Sequence, residues 1–211
     1  MSLRVIQWAT GAVGSAQLRE IIDRPDLELA GVFVYSPQKA GVDAGELVGR
    51  PPTGVRATTD KNEILATDAD LVLHAASKAG GNDTNLDDIV ALLASGKNVI
   101  TTTTYNHLPS WPPEVGERIT AACRQGNSRF FAAGEHPGLM FERLTTTATA
   151  LSQRVDRITV QEFVDCSGIA EPAMLVELMG MGKPPEAITV DAPMFRCAPP
   201  PSARAPSPGR S

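Results

Sequence analysis

Apolar residues follow two alternating patterns along the first two-thirds of the chain, one typical of strands and one of helices. Short runs of apolar and β-branched residues, such as 3–9 and 27–35, predict buried strands. Between these runs, apolar residues recur every three or four positions over residues 15–23, which predicts an amphipathic helix. The further predicted strands are 69–75, 98–103 and 129–133, and the further predicted helices are 60–65, 87–95, 113–126 and 139–151.

Strands that alternate with helices imply right-handed crossovers, a parallel sheet and helices on both of its faces. We therefore predict an α/β fold, a Rossmann-type parallel sheet, for residues 1–150. Residues 157–165 instead alternate polar and apolar side chains, as a half-solvated strand does. That pattern predicts a second, incomplete C-terminal α+β domain over residues 151–196. Residues 197–211 contain no large apolar side chain and predict a disordered tail.

The sharpest motif is ATGAVG at residues 9–14, between the first predicted strand and the first predicted helix. It matches the dinucleotide-binding pattern G-x-G-x-x-G with Ala9 in place of the first glycine. Gly11 would let the backbone approach a pyrophosphate, and Gly14 would let the helix pack closely against the strand. The free N–H groups of the helix would then face the anion. The predicted cofactor-binding residues of this turn are Thr10, Gly11, Ala12, Val13 and Gly14.

The end of the second predicted strand bears on the choice of nucleotide. Enzymes that use NAD place Asp or Glu there to bind the ribose 2′-hydroxyl, whereas residues 34–39 read VYSPQK, without an acid. Ser36 can donate a hydrogen bond to a 2′-phosphate and Lys39 can pair with it. We therefore predict NADP as the cofactor, with NAD as the alternative. An ordinary polar turn with a solvated lysine would have the same sequence.

Ligands of open α/β sheets gather beyond the carboxyl ends of the strands. After the strand 69–75, small side chains would leave room for ribose and nicotinamide. The cofactor-binding residues predicted there are Ala75, Ala76 and Ser77. We expect the neighbouring His74 to be a satisfied residue near the core.

The catalytic candidates follow the strand 129–133. Glu135 and His136 come just before the next predicted helix, so both would face the crevice. His136 is the candidate general acid or substrate-orienting donor, because imidazole exchanges protons near neutral pH. A histidine that only caps the following helix is the alternative. Tyr105 and His107 lie on a predicted loop that could close over a substrate.

Composition mainly excludes classes of partner. The 211 residues carry a net charge of −5 and no stripe of Lys or Arg, so we expect no nucleic-acid partner. No apolar run of 18 residues and no signal-peptide pattern occur, so we expect no membrane association. Cys123, Cys166 and Cys197 lack the spacing of metal ligands or of a disulfide framework. We therefore expect no metal site and a cytoplasmic protein with reduced thiols.

Several segments taken together resemble the dihydrodipicolinate-reductase-like proteins, in particular the branch with 2,4-diaminopentanoate dehydrogenase and its actinobacterial relatives. The resemblance runs from residue 1 to about 196. The segments that carry it are 9–14, 75–77, 134–138, 141–144 and 179–186. It implies an N-terminal Rossmann domain, a C-terminal α+β domain and NAD(P)H-dependent redox chemistry of imines or amines. A homo-oligomer, if one forms, would use the second domain.

The nucleotide-binding motif predicts an NADP(H)-preferring oxidoreductase, and the resemblance implies that it acts on a C–N bond of an amino-acid-like small molecule. An NADP(H)-binding module or redox sensor without turnover is the alternative. Dihydrodipicolinate reductases carry a His-His-x-x-Lys cluster in the second domain, and residues 160–168 contain no His or Lys. This departure argues against lysine-pathway activity. Because family members are longer and the composition changes at Cys197, we expect a truncated or frameshifted product.

Overall fold

The computed structural model describes residues 2–77, 82–103, 105–168, 175–176 and 179–189, except for the side chains of residues 82–84, 110, 136 and 137. The predicted tail, residues 197–211, lies outside the described residues.

Six parallel strands form one sheet in the order β3-β2-β1-β4-β5-β6. The strands are β1 Leu3–Trp8, β2 Leu27–Phe33, β3 Ala57–Thr58, β4 Leu71–His74, β5 Asn98–Thr101 and β6 Phe130–Ala132. The order of the strands reverses between β1 and β4, and such a reversal opens a crevice at the carboxyl edge of a sheet. The predicted α/β fold with a Rossmann-type parallel sheet is confirmed.

Helices cover both faces of the sheet. They are α1 Ala12–Asp23, α2 Ala44–Val48, α3 Lys61–Ala66, α4 Asn82–Ala94, α5 Pro113–Gly126 and α6 Thr145–Thr149. One face packs Trp8 and Phe33 with apolar residues of α3, α4 and α5. The other face packs Leu18 of α1 and Ala44 of α2 against Val32. Burying one such large apolar side chain contributes about 1.5–3 kcal/mol to stability.

Two helices begin earlier than their sequence patterns predict. A π-helix spans Glu135–Leu144 and continues into α6, so it begins four residues before the predicted start at Leu139. Pro137 lies in the first turn, where its missing N–H breaks no helical hydrogen bond. Glu135 and His136 are therefore part of the helix rather than residues that precede it. Similarly, α4 begins at Asn82 and not at Asp87.

The predicted strand at residues 157–165 is wrong. The structure contains no strand there, and the side chains of Ile158, Phe163 and Val164 are exposed. A strand requires a neighbouring strand that pairs with its backbone and covers its apolar face. Within the described part of the chain, no strand pairs with this segment. The domain boundaries at residues 150 and 196 stay predictions.

Candidate functional site

The turn between β1 and α1 is built around an alanine in an unusual conformation. Ala9 has φ +72°, in the left-handed region that glycine adopts without strain. An L-residue pays about 1–2 kcal/mol there, so Ala9 keeps the tight turn of the motif at an energetic cost. The buried amide of Gln7 supports the turn, because its Nε2 donates a hydrogen bond to the Ala9 carbonyl at 2.9 Å.

Gly14 permits the close packing of α1 against this turn. A Cβ added at Gly14 would lie 2.1 Å from the Ala9 carbonyl oxygen and 3.0 Å from Nε2 of Gln7. Both are shorter than an ordinary van der Waals contact. Only glycine therefore fits at position 14 with the backbone as it stands.

The N-terminus of α1 is open to solvent. Gly11 is the N-cap, and a Cβ added to it would meet no atom within 4 Å. In the described part of the chain, no side chain caps this end, and its first turn contains no acidic residue. The first N–H groups of a helix have no intrahelical acceptor, and the helix dipole is positive at this end. Ala12 and Val13 are exposed, and the free backbone N–H groups beside them can bind an anion.

Lys39 brings a positive charge to the same turn. Its Nζ donates hydrogen bonds to the carbonyl oxygen of Thr10 at 2.8 Å and to the Thr10 hydroxyl at 3.1 Å. Ser36, the other predicted 2′-phosphate ligand, donates its hydroxyl to Oε1 of Gln38 at 2.5 Å. The loop after β2 thus lies beside the glycine-containing turn, with Lys39 as the side chain that joins them.

A polar network lies at the end of β2, where the sequence lacks the usual acid. The Tyr35 hydroxyl accepts a hydrogen bond from Nε1 of Trp8 and donates one to Oδ2 of Asp88, each at 3.0 Å. Lys61 forms an ion pair with the buried Asp88 carboxylate. Burial raises the pKa of Tyr35 to about 12, so its hydroxyl stays protonated at neutral pH.

Sequence reasoning missed this network. The predicted helix 87–95 began at Asp87 and so placed Asp88 in its first turn. In the structure Asp88 lies in the second turn and faces the end of β2. The position of Tyr35 as the last residue of the second apolar run was the available signal.

The small residues after β4 lie next to the same turn. The N–H of Ala75 donates to the carbonyl of Trp8 at 3.0 Å, and Ala76 is buried. The carbonyl of Ser77 accepts a hydrogen bond from the Asn85 amide of α4 at 3.2 Å. The segment 75–77 therefore lies at the carboxyl edge of the sheet beside β1, as predicted, while its part in cofactor binding stays a prediction.

His74 differs from the satisfied residue that we expected. It is fully buried, and its Nδ1 hydrogen-bonds with the Thr101 hydroxyl at 3.0 Å. Its Nε2, however, is buried without a hydrogen-bond partner among the described residues. Burial, and secondarily the charge of Lys61, lowers the pKa of His74 to about 4, so the ring is neutral at pH 7. The ring stacks against Trp8 with centroids 6.1 Å apart.

A cleft of about 370 Å³ lies beyond the carboxyl ends of β5 and β6. Its walls come from the loop 105–109, the end of β6 and the first turns of the π-helix. The lining residues include Tyr105, Asn106, His107, Leu108, Phe131, Gly134, Gly138, Leu139, Glu142 and Arg143. Tyr105 and His107 both line this cavity, while closure of their loop over a substrate stays a prediction. Sequence reasoning gave no role to Asn106, Glu142 or Arg143.

The structure describes the two predicted catalytic residues, Glu135 and His136, to different extents. Glu135 is exposed, and it is not among the described residues that line the cleft, although Gly134 and Gly138 on either side of it are. The backbone of His136 forms part of the first π-helical turn, and its side chain lies outside the described part of the structure.

The described residues form neither a metal-binding cluster nor a helix that could span a membrane. Among them, no three or more His, Cys, Asp or Glu side chains are grouped so as to hold a metal ion. None of the helices formed by these residues combines the length and the apolar character needed to cross a membrane.

Comparison with known proteins agrees with this geometry. Residues 5–109 match the family model described as dihydrodipicolinate reductase, N-terminus. The chain is 34% identical over 186 residues to an amine dehydrogenase of Streptomyces virginiae, covering 86% of this chain and 51% of that protein. It is 33% identical over 61 residues to a 4-hydroxy-tetrahydrodipicolinate reductase of Synechocystis, covering 29% of this chain and 22% of that protein.

A solved structure has the same fold. The amine dehydrogenase of Mycobacterium smegmatis matches with a TM-score of 0.66 at 20% identity, covering 74% of this chain and 46% of that one. The chain therefore spans about half the length of each of the two amine dehydrogenases. With the matched N-terminal segment and the Rossmann-type sheet, the resemblance of the sequence to the dihydrodipicolinate reductase-like NAD(P)-binding proteins is confirmed, and residues 5–109 are the part that matches their N-terminal domain.

Proposed function

We propose that this chain is the nucleotide-binding part of an NADP(H)-dependent oxidoreductase that acts on a C–N bond of an amino-acid-like molecule. The observation that carries the proposal is the open N-terminus of α1, uncapped by any described side chain and flanked by Lys39. A dinucleotide pyrophosphate is an anion of the size and charge that such a helix end binds. The names of the relatives, amine dehydrogenase and tetrahydrodipicolinate reductase, support the reaction class.

The remaining cofactor contacts follow from the position of the pyrophosphate. The adenosine half would extend toward the end of β2, where Ser36 and Lys39 can bind a 2′-phosphate. To do so, Lys39 would exchange its contacts with Thr10 for a contact with the phosphate. The nicotinamide half would extend past residues 75–77 toward the cleft. NAD stays the alternative cofactor, because it needs no contact from Lys39.

The proposed reaction is imine reduction or its reverse, amine dehydrogenation. The bound cofactor supplies a hydride to the imine carbon or accepts one from the amine carbon. We propose His136 as the group that orients the substrate or exchanges a proton with its nitrogen, with Glu135 beside it. The roles proposed for His136 and Glu135 are supported by the position of their backbone in the first turn of the π-helix, which follows β6.

An NADP(H)-binding module or redox sensor without turnover is the second candidate. It is favoured by residues 157–165, which leave apolar side chains exposed instead of forming the strand of a second domain. Such a module could associate with another copy of itself through that segment. We place either candidate in the cytoplasm, where the free thiols of Cys123 and Cys166 would stay reduced.

Two measurements on the same preparation separate the candidates. The first is the affinity for NADPH and NADH by calorimetry, and the second is amine-dependent reduction of NADP⁺ across a panel of amines and amino acids. The enzyme proposal expects both binding and turnover. Binding without turnover on any member of the panel would favour the module, and the absence of nucleotide binding would contradict both candidates.

A further inference from the structure

The cleft beside the π-helix contains a buried hydrogen-bond donor without a partner. Nδ2 of Asn106 is excluded from solvent and forms no hydrogen bond within the described part of the chain. Gly138 lies against this amide, because a Cβ at position 138 would come within 2.8 Å of Nδ2. Buried donors are normally hydrogen-bonded. An unmatched donor on the wall of a cavity therefore indicates an acceptor that the cavity receives from outside.

Two side chains of opposite charge line the same cleft. Glu142 and Arg143 both line the cleft, and neither forms an ion pair with another described residue. The guanidinium carbon of Arg143 lies 4.6 Å from the centroid of the Phe131 ring, which also lines the cleft. This cation–π contact leaves the N–H groups at the edge of the guanidinium available. A guanidinium binds a carboxylate through two parallel hydrogen bonds, and a carboxylate such as that of Glu142 binds an ammonium group.

The rest of the lining is largely apolar. Leu108, Phe131 and Leu139 contribute to the walls. The side chains of Phe131 and Leu139 are about half exposed. An apolar ligand that covers them would remove apolar surface from water, which favours binding. The volume of about 370 Å³ accommodates a molecule of the size of a medium-sized amino acid.

We propose that this cleft binds an α-amino acid with an apolar side chain, such as leucine. Arg143 and the Asn106 amide bind its carboxylate, Glu142 binds its ammonium group, and the apolar walls cover its side chain. The proposal rests on the proposed function for its place beside the nicotinamide, whereas the binding step itself requires no nucleotide.

Calorimetric titration with three related probes tests the proposal. L-Leucine carries both charged groups, 3-methylbutylamine lacks the carboxylate, and 4-methylpentanoate lacks the ammonium group. We expect L-leucine to bind at least about tenfold more tightly than either analogue, because each analogue leaves one charged group of the cleft without a partner. No measurable affinity for L-leucine, or equal affinity for all three probes, would overturn the proposal.

Two variants identify the groups responsible. Arg143→Gln should weaken L-leucine and 4-methylpentanoate by about ten- to a hundredfold and leave 3-methylbutylamine unchanged. Asn106→Asp, which has nearly the same size, should weaken both carboxylate probes through repulsion. Arg154→Gln is the matched control, because Arg154 is exposed and lies outside the cleft. Unchanged affinity for L-leucine in both cleft variants would overturn the proposal.

An NADPH titration of the same sample separates this inference from the proposed function. Affinity for L-leucine without affinity for NADPH would contradict the proposed function and retain the amino-acid site. Affinity for NADPH without affinity for L-leucine would contradict the amino-acid site alone.

Discussion

The carbonyl oxygen of Ala9 occupies the space that a side chain at position 14 would need. A Cβ built on Gly14 would lie 2.1 Å from that oxygen, so the turn and the first helical turn are in direct backbone contact. The contact fixes where α1 begins relative to β1. It thereby fixes the direction in which the free N–H groups of residues 12–14 point.

Gly14→Ala should destabilise the fold itself. The new methyl group would collide with a backbone atom, and forced overpacking of this kind costs about 1–3 kcal/mol. Urea unfolding followed by circular dichroism measures the change. Gly116→Ala in α5 is the control: a Cβ there meets no atom within 4 Å, and removing a helical glycine should add about 0.5–1 kcal/mol. Equal stability of the two variants would contradict the close packing.

Lys39→Ala should distinguish the two nucleotides. If Lys39 binds a 2′-phosphate, its loss should weaken NADPH by about ten- to a hundredfold, since a charge-assisted hydrogen bond contributes about 1.5–3 kcal/mol. The affinity for NADH should change little. Lys39→Arg retains the charge and should restore most of the NADPH affinity. Equal losses for both nucleotides in Lys39→Ala would show that Lys39 contacts no 2′-phosphate.

His74 should make the stability of the fold depend on pH. Its pKa is about 4 in the folded chain and about 6.5 when unfolded, so acid protonates the unfolded chain first. Stability is therefore complete above about pH 6.5 and is lost as the pH falls toward 4. Between pH 6.5 and 5 the loss should be about 1.5 kcal/mol. Unfolding curves of His74→Gln should lack this loss, whereas a control His107→Gln should retain it; an identical slope in His74→Gln would contradict the assignment.

Limited proteolysis should report on the segment that follows α6. Leu151 and Phe163 are more than 90% exposed, and residues 150–166 contain neither helix nor strand. Proteases cut exposed backbone without secondary structure first. Mass spectrometry should find the first internal cuts between residues 150 and 168, with a resistant fragment that contains the six-stranded sheet. Earlier cuts within α4 or α5 would contradict this order of stability.

Sequence patterns predicted the features of the fold that depend only on residues close together in the chain. The apolar run before Ala9, the glycines at 11 and 14 and the helix behind them were all readable, because a strand, a tight turn and a helix start are local features. The pairing of Tyr35 with Asp88 was not readable. It joins residues 53 positions apart, which only the tertiary structure brings together.

The part of the molecule around the cleft was predicted less well for the same reason. The alternation at 157–165 is a real pattern, but a strand forms only when another strand pairs with it. Arg143 belongs to a segment that carried the family resemblance, yet nothing in its local spacing shows that it lines a cavity with Asn106. The sequence pattern correctly placed Glu135 after β6. It predicted the start of the following helix at Leu139, four residues too late.

The substitution Ala12→Glu tests most directly the central claim that the α1 N-terminus holds the nucleotide phosphates. Residue 12 is exposed, and an acid in the first turn of a helix stabilises it by about 0.3–1 kcal/mol, so the fold should be retained or strengthened. The new carboxylate would repel a bound pyrophosphate, and NADPH affinity should fall by about tenfold or more. The same change at exposed Ala121 in α5 should leave the affinity unchanged. Calorimetry on both variants decides: a stable Ala12→Glu protein with undiminished NADPH affinity would contradict the claim.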